Sequence, residues 1–174
     1  LRNLDKVRVR IIRNDEKVYE TLLENPAGSY YALDTMVLDR PRLDDGEYRI
    51  RCYDGNDQIG GCHYPKYTLS VASRVNDEGT GVYVADYLSG KPLDKVDMTL
   101  YKGDRNVAEA SGVVLDGFTS LPQEIASRLT KNASGHYLVC STVGEDGMLR
   151  RSQEVYLSAE RNFDVKEKNN TKRI

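Results

Sequence analysis

The sequence predicts an all-β chain made of two consecutive β-sandwich domains. Three observations carry that expectation. Apolar and polar residues alternate with a period of two, as in Val7-Arg8-Val9-Arg10-Ile11, the pattern of a strand with one buried face. Turn-forming residues separate such segments at intervals of about 8–12 residues, as in sandwiches and barrels. The pattern is interrupted by a polar stretch, Arg74-Val75-Asn76-Asp77-Glu78-Gly79, and then restarts.

The elements follow in order. Val7–Ile11 is a first strand, and Lys17-Val18-Tyr19-Glu20-Thr21-Leu22 follows the turn Asn14-Asp15. Tyr30–Leu38 is a longer apolar run after Pro26-Ala27-Gly28, and it too reads as a strand. Then come Tyr48–Tyr53, Ile59–Cys62 and Tyr67–Ala72. Beyond the break, Val82–Ala85 is a strand, Leu88-Ser89-Gly90-Lys91-Pro92 a turn, and Val96–Tyr101 a cleanly alternating strand. Asn106–Ala110 continues the series, and Tyr137–Val143 with Met148–Leu157 forms a last hairpin around Gly144-Glu145-Asp146-Gly147. Pro122–Leu129 departs from the period of two: Pro at a first helical position with helix formers behind it predicts one short helix. The expected organisation is domain 1–73, domain 74–160 and a polar tail or linker over 161–174. The start at Leu1-Arg2-Asn3 reads as a piece of a longer chain.

Bulk chemistry narrows the function classes. Hydrophobic residues make up 39% and charged residues 30%, a globular composition without an apolar run of bilayer length. The net charge of −2 supplies no basic field, and Lys and Arg read as scattered among acids, so neither nucleic-acid binding nor membrane contact by this segment is expected. Twelve Tyr with two Phe and no Trp suit half-buried strands.

No catalytic, cofactor or metal site emerges, and the chain reads as a non-enzyme. Cys52 and Cys62 flank a turn-rich stretch and could face each other across a hairpin, although two separate thiols are the simpler reading; Cys140 reads as core. His63 beside Cys62 falls short of the four ligands zinc takes, and His136 is expected to point away from the core. Asp54-Gly55-Asn56-Asp57 and Glu145-Asp146-Gly147 need only turn chemistry, not calcium. No Gly-x-Ser-x-Gly elbow occurs, and Gly60-Gly61 lacks the Lys-Ser/Thr of a phosphate loop, so it marks a bulge or close backbone approach. Asn132-Ala133-Ser134 and Asn169-Asn170-Thr171 match the glycosylation sequon, which matters only in a eukaryotic secretory setting.

The residues singled out are structural. Asp45-Gly46-Glu47-Tyr48-Arg49-Ile50 and Ser134-Gly135-His136-Tyr137-Leu138-Val139 share the spelling Gly-x-Tyr-x-aliphatic, a weak internal repeat. In immunoglobulin-like and fibronectin-III-like sandwiches a Tyr so placed bonds its hydroxyl back to an upstream loop and pins the corner between sheets. Tyr48 and Tyr137 are the candidates, and Gly90 and Pro92 shape the strand-turn-strand unit Val82–Tyr101.

That last unit, Val82-Tyr83-Val84-Ala85-Asp86-Tyr87-Leu88-Ser89-Gly90-Lys91-Pro92-Leu93, resembles the opening of macroglobulin-type domains in bacterial alpha-2-macroglobulin-like proteins. Pro41–Tyr48 is similar to a Pro-x-Leu-x-x-Gly-x-Tyr stretch late in the preceding domain of that family, and Tyr67–Arg74 to the strand that hands over to the next. The resemblance spans roughly residues 30–157. A similar Gly-Lys-Pro opening occurs in carboxypeptidase-regulatory-like domains. The resemblance implies a non-catalytic scaffold segment of a protease-trapping envelope protein, in the periplasm or attached to the cell surface. Its partners would be neighbouring domains and, through the longer chain, proteases. The Cys-Gly-Glu-Gln thioester motif of many members does not occur here. Two alternatives stand beside it. One is a surface adhesion or carbohydrate-binding module using Tyr30-Tyr31 and Tyr64, and the other is a carboxypeptidase-regulatory-like accessory domain.

Overall fold

A computed structural model of the chain describes residues 4–24, 35–39, 41–76, 79–129 and 134–157. It is mostly β-strand arranged in several antiparallel sheets, so the all-β expectation holds. The chain divides into two compact units, Leu1–Leu69 with Ser141–Arg151, and Ser70–Cys140 with Ser152–Ile174.

The first unit is built on β1 (Lys6–Arg13), β2 (Glu16–Glu24), β3 (Gly46–Asp54) and β4 (Asp57–Lys66), in the order β2-β1-β3-β4. All three pairings are antiparallel. Asn14 and Asp15 both adopt positive φ, 51° and 62°. A two-residue hairpin of matching twist needs that conformation, and Asn and Asp tolerate it. The alternation read from the sequence decides the faces. Val7, Val9 and Ile11 of β1 and Tyr48 of β3 are buried, whereas Arg8, Arg10, Arg49 and Arg51 point to the opposite face. The unit also contains the hairpin end formed where Ser141–Val143 pairs with β11 (Leu149–Arg151).

In the second unit, β5 (Leu69–Asn76), β6 (Gly79–Asp86) and β9 (Thr119–Ser120) form one sheet. β7 (Lys95–Lys102), β8 (Arg105–Val114), the first residues of β10 (His136–Val143) and β12 (Val155–Tyr156) belong to another. Its core takes Val82 and Val84 from β6, Val96, Met98 and Leu100 from β7, and Leu138 and Cys140 from β10. Ile125 of helix α1 (Gln123–Leu129) adds a fully buried side chain. The expected helix is present; the Pro122 carbonyl accepts from Ala126 N at 2.8 Å, so Pro122 stands at the cap rather than inside the first turn.

Four local expectations need correction or limitation. Thr35–Leu38, the described part of the apolar run expected as a strand, has no regular structure, and Val37 is 79% exposed. The polar stretch after Tyr67–Ala72 is strand as far as Asn76. Met148–Leu157 is not one strand but two short ones, interrupted at Gln153-Glu154. His136 is buried, not outward, because β10 is buried on both faces from His136 to Cys140. Tyr30-Tyr31, Asn132, Asn169 and the tail 161–174 lie outside the described residues.

Candidate functional site

The most heavily bonded side chain of the first unit is Asp45, which has no exposed surface. Its carboxylate accepts from Lys66 Nζ at 2.7 Å, Thr68 N at 2.7 Å, Thr68 Oγ1 at 2.5 Å and Arg151 N at 2.8 Å. Desolvation pushes this carboxyl up, but the Lys66, Thr68 and Arg151 donors outweigh it and hold the group below its ordinary value. Around it, Asp45 N donates to Leu149 O at 2.8 Å and Leu149 N to Asp44 Oδ1 at 2.9 Å. Tyr48 OH donates to Asp44 O at 2.8 Å, bonding the start of β3 back to the backbone four residues upstream. Both oxygens of the Asp45 carboxylate are taken up by protein donors, so the node fastens residues 41–48 to β11.

The other singled-out residues behave differently. Tyr137 stacks on Tyr101 at 5.2 Å between ring centroids and meets Tyr156 at 5.5 Å, so its ring packs between strands. Asp86 Oδ1 accepts from Ser89 N at 2.8 Å and Ser89 Oγ at 2.7 Å, closing the turn that Gly90 passes with a φ of 68°. Pro92 forms an isolated bridge with Ala85, and Leu93 N donates to Val84 O at 3.0 Å.

The thiols are all free. Cys52 lies opposite Gly60 and Cys62 opposite Ile50, so the two share a face but are offset diagonally. Diagonal neighbours lie about 7–8 Å apart, too far for a disulfide without backbone movement. Burial, with the nearby Cys62, pushes the Cys52 thiol up, and burial alone pushes Cys140 up to about 12. His63 Nε2 sits 2.5 Å from Glu47 Oε2, and the buried His136 Nδ1 has no hydrogen-bond partner among the described residues. Among the described residues no three His, Cys, Asp or Glu converge on a possible metal position. Tyr64, named for sugar stacking, is half-buried and tilted against Tyr48 at 6.4 Å.

One cluster escaped the linear reading. The cations that look scattered in sequence meet on the outer face of the first sheet. Arg8 lies opposite Tyr53, Arg10 opposite Arg51, and Arg49 opposite both Ile12 and His63. Arg8 and Arg10 lie 5.5 and 4.8 Å from the Tyr53 ring centroid. Glu20 pairs with Arg10, Glu24 with Lys6 at 2.8 Å, and Asp15 with Arg49 at 3.4 Å. Beside them, Arg49, Arg51, Gln58, Gly61 and His63 line an open groove of about 500 Å³ along β3 and β4. The usable signal was the twin spelling Val7-Arg8-Val9-Arg10 and Tyr48-Arg49-Ile50-Arg51. The pairing that superposes the two is tertiary. Against known proteins, no family model, no curated protein and no solved structure matches this chain.

Proposed function

We propose that this chain is a non-catalytic scaffold segment of an alpha-2-macroglobulin-like protease-trapping protein of the bacterial envelope, its two units being macroglobulin-type sandwiches of immunoglobulin-like plan. The observation that carries the reading is the strand-turn-strand unit Val82–Tyr101. Asp86 and Ser89 close its turn, Gly90 takes the left-handed conformation, and Val96, Met98 and Leu100 alternate into the core. The Asp45 node adds support of an architectural kind, since its buried polar groups are spent on fastening backbone segments.

The test is made on the full-length protein that contains this chain. Incubated with trypsin, it is expected to leave the enzyme active on a small chromogenic peptide while shielding it from a large protein substrate. Equal activity on both substrates overturns the trapping role. An open reading frame without further macroglobulin repeats overturns the family.

A further inference from the structure

The geometry points to β4 as a docking edge for an extended acidic peptide segment, added as a fifth strand with a Glu or Asp placed opposite Gly61. Among the described residues β4 is the last strand of its sheet, and it is exposed from Asp57 to His63. The opposite edge, β2, carries Glu16, Lys17, Glu20 and Glu24, the charges that discourage strand addition. The middle of β4, Ile59-Gly60-Gly61-Cys62, carries none.

The ladder row through Gly61 supplies the charge argument. It runs Glu20, Arg10, Arg51, Gly61 across the four strands. Like charges directly opposed across a ladder are unfavourable. Glu20 neutralises Arg10, whereas Arg51 has no acidic partner among the described residues. The position next to Arg51 is empty of side chain, and a Cβ on Gly61 would lie 2.5 Å from the Ile50 carbonyl oxygen. A residue on an added strand opposite Gly61 therefore finds its side chain over bare backbone and facing Arg51, with Gln58 and His63 flanking the groove. A carboxylate there meets a guanidinium, the favoured pairing for a planar anion. Backbone hydrogen bonds supply affinity in such additions, and the alternate side-chain pockets supply specificity. A second copy of this chain is a poor occupant, since the middle of its own β4, Ile59-Gly60-Gly61-Cys62, offers no carboxylate to meet Arg51. This inference does not depend on the trapping role.

The test selects decapeptides from a random display library on the full 174-residue chain. Enrichment of alternating β-branched sequences with one central acid is expected. A selected peptide should slow amide exchange at Gly60–Cys62, and Arg51→Gln should weaken it by at least about tenfold. N-methylation of its backbone should abolish binding with the charge intact, and Arg51→Glu should shift selection towards Lys. Binding that survives N-methylation, or a sulfated polysaccharide that binds through Arg51 without protecting the β4 amides, overturns the strand and leaves a polyanion face. Concentration-dependent dimers protected at β4 assign the edge to a second copy, and no enrichment at all also overturns the proposal.

Discussion

The two strands spelled Gly-x-Tyr-x-aliphatic begin alike and end in different roles. In β3, Tyr48 is buried on the inward face and its hydroxyl reaches back to Asp44 O, while Glu47 and Arg49 face solvent. In β10, His136 to Cys140 are all buried, and Tyr137 stacks on Tyr101 with the Tyr156 ring tilted against it. The spelling specifies a strand entered from a turn. What the tyrosine then does is decided by its surroundings: an Asp-Asp pair with an acceptor carbonyl in one case, aromatic neighbours on adjacent strands in the other.

The same contrast extends to how each unit fastens its closing strands. The first uses a buried carboxylate, Asp45, with four donors around it. The second uses a buried hydroxyl, Ser152, which accepts from Cys140 N at 3.0 Å and donates to Gln153 O at 2.8 Å. Asp45→Ala should give the largest loss, about 3–5 kcal/mol in urea unfolding, because it leaves the largely buried Lys66 ammonium without its counter-charge, only the Leu43 carbonyl remaining, and strands two backbone N–H groups. A loss under about 1 kcal/mol would mean that water or rearrangement replaces the carboxylate. The node also has a pH signature. A carboxyl depressed in the folded state stabilises above its unfolded value, about 3.9, and the stabilisation fades as pH falls through the folded value. Stability should therefore drop on acidification below about pH 4, and Asp45→Asn should flatten that limb.

Ser152→Ala comes next, at about 1–3 kcal/mol, because it leaves Cys140 N buried without an acceptor. The comparison sharpens if Asp45→Ala and Ser152→Ala, measured by the same unfolding titration, keep this order. Equal losses would show that charge adds nothing to the fastening.

Much of the fold was legible because alternation survives wherever one face is buried. β1, β3 and β7 carry it plainly, and the helix announced itself through Pro122 and its helix-forming successors. Legibility failed where burial is two-sided or where a side chain competes with the ladder. β10 buries both faces, so its period of two vanishes and His136 was misplaced. Ser152 bonds to its own neighbour's carbonyl as well as across to β10, and the strand breaks just beyond it. The basic face was hidden for another reason. Each Arg-x-Arg strand reads as a solvated face on its own, and only the register of β1 on β3 places Arg10 against Arg51. Asp45 likewise carries no local signal of its role, because its partners Thr68 and Arg151 lie 23 and 106 positions away.

The paired tyrosines give the finer test. Tyr48→Phe removes one hydrogen bond and should cost about 0.5–1.5 kcal/mol, whereas Tyr137→Phe keeps its stacking and should stay within about 0.5 kcal/mol. Thermal melts of the two variants check this. Unchanged melting for Tyr48→Phe would remove the corner role, and an equal loss at both sites would restore the symmetry that the shared spelling suggests.

Ser89→Ala should have the smallest effect. The hydroxyl bonds Asp86 Oδ1 at 2.7 Å and accepts from Lys91 N at 3.3 Å, but the turn is exposed and water can replace both. The backbone bonds Gly90 N to Asp86 O and Ser89 N to Asp86 Oδ1 survive the change. A loss within about 0.5 kcal/mol in urea unfolding is expected. A loss as large as that of Ser152→Ala would mean that this turn, rather than the strands it joins, holds β6 to β7. The contrast would then be between fastened turns and fastened strands, not between the two units.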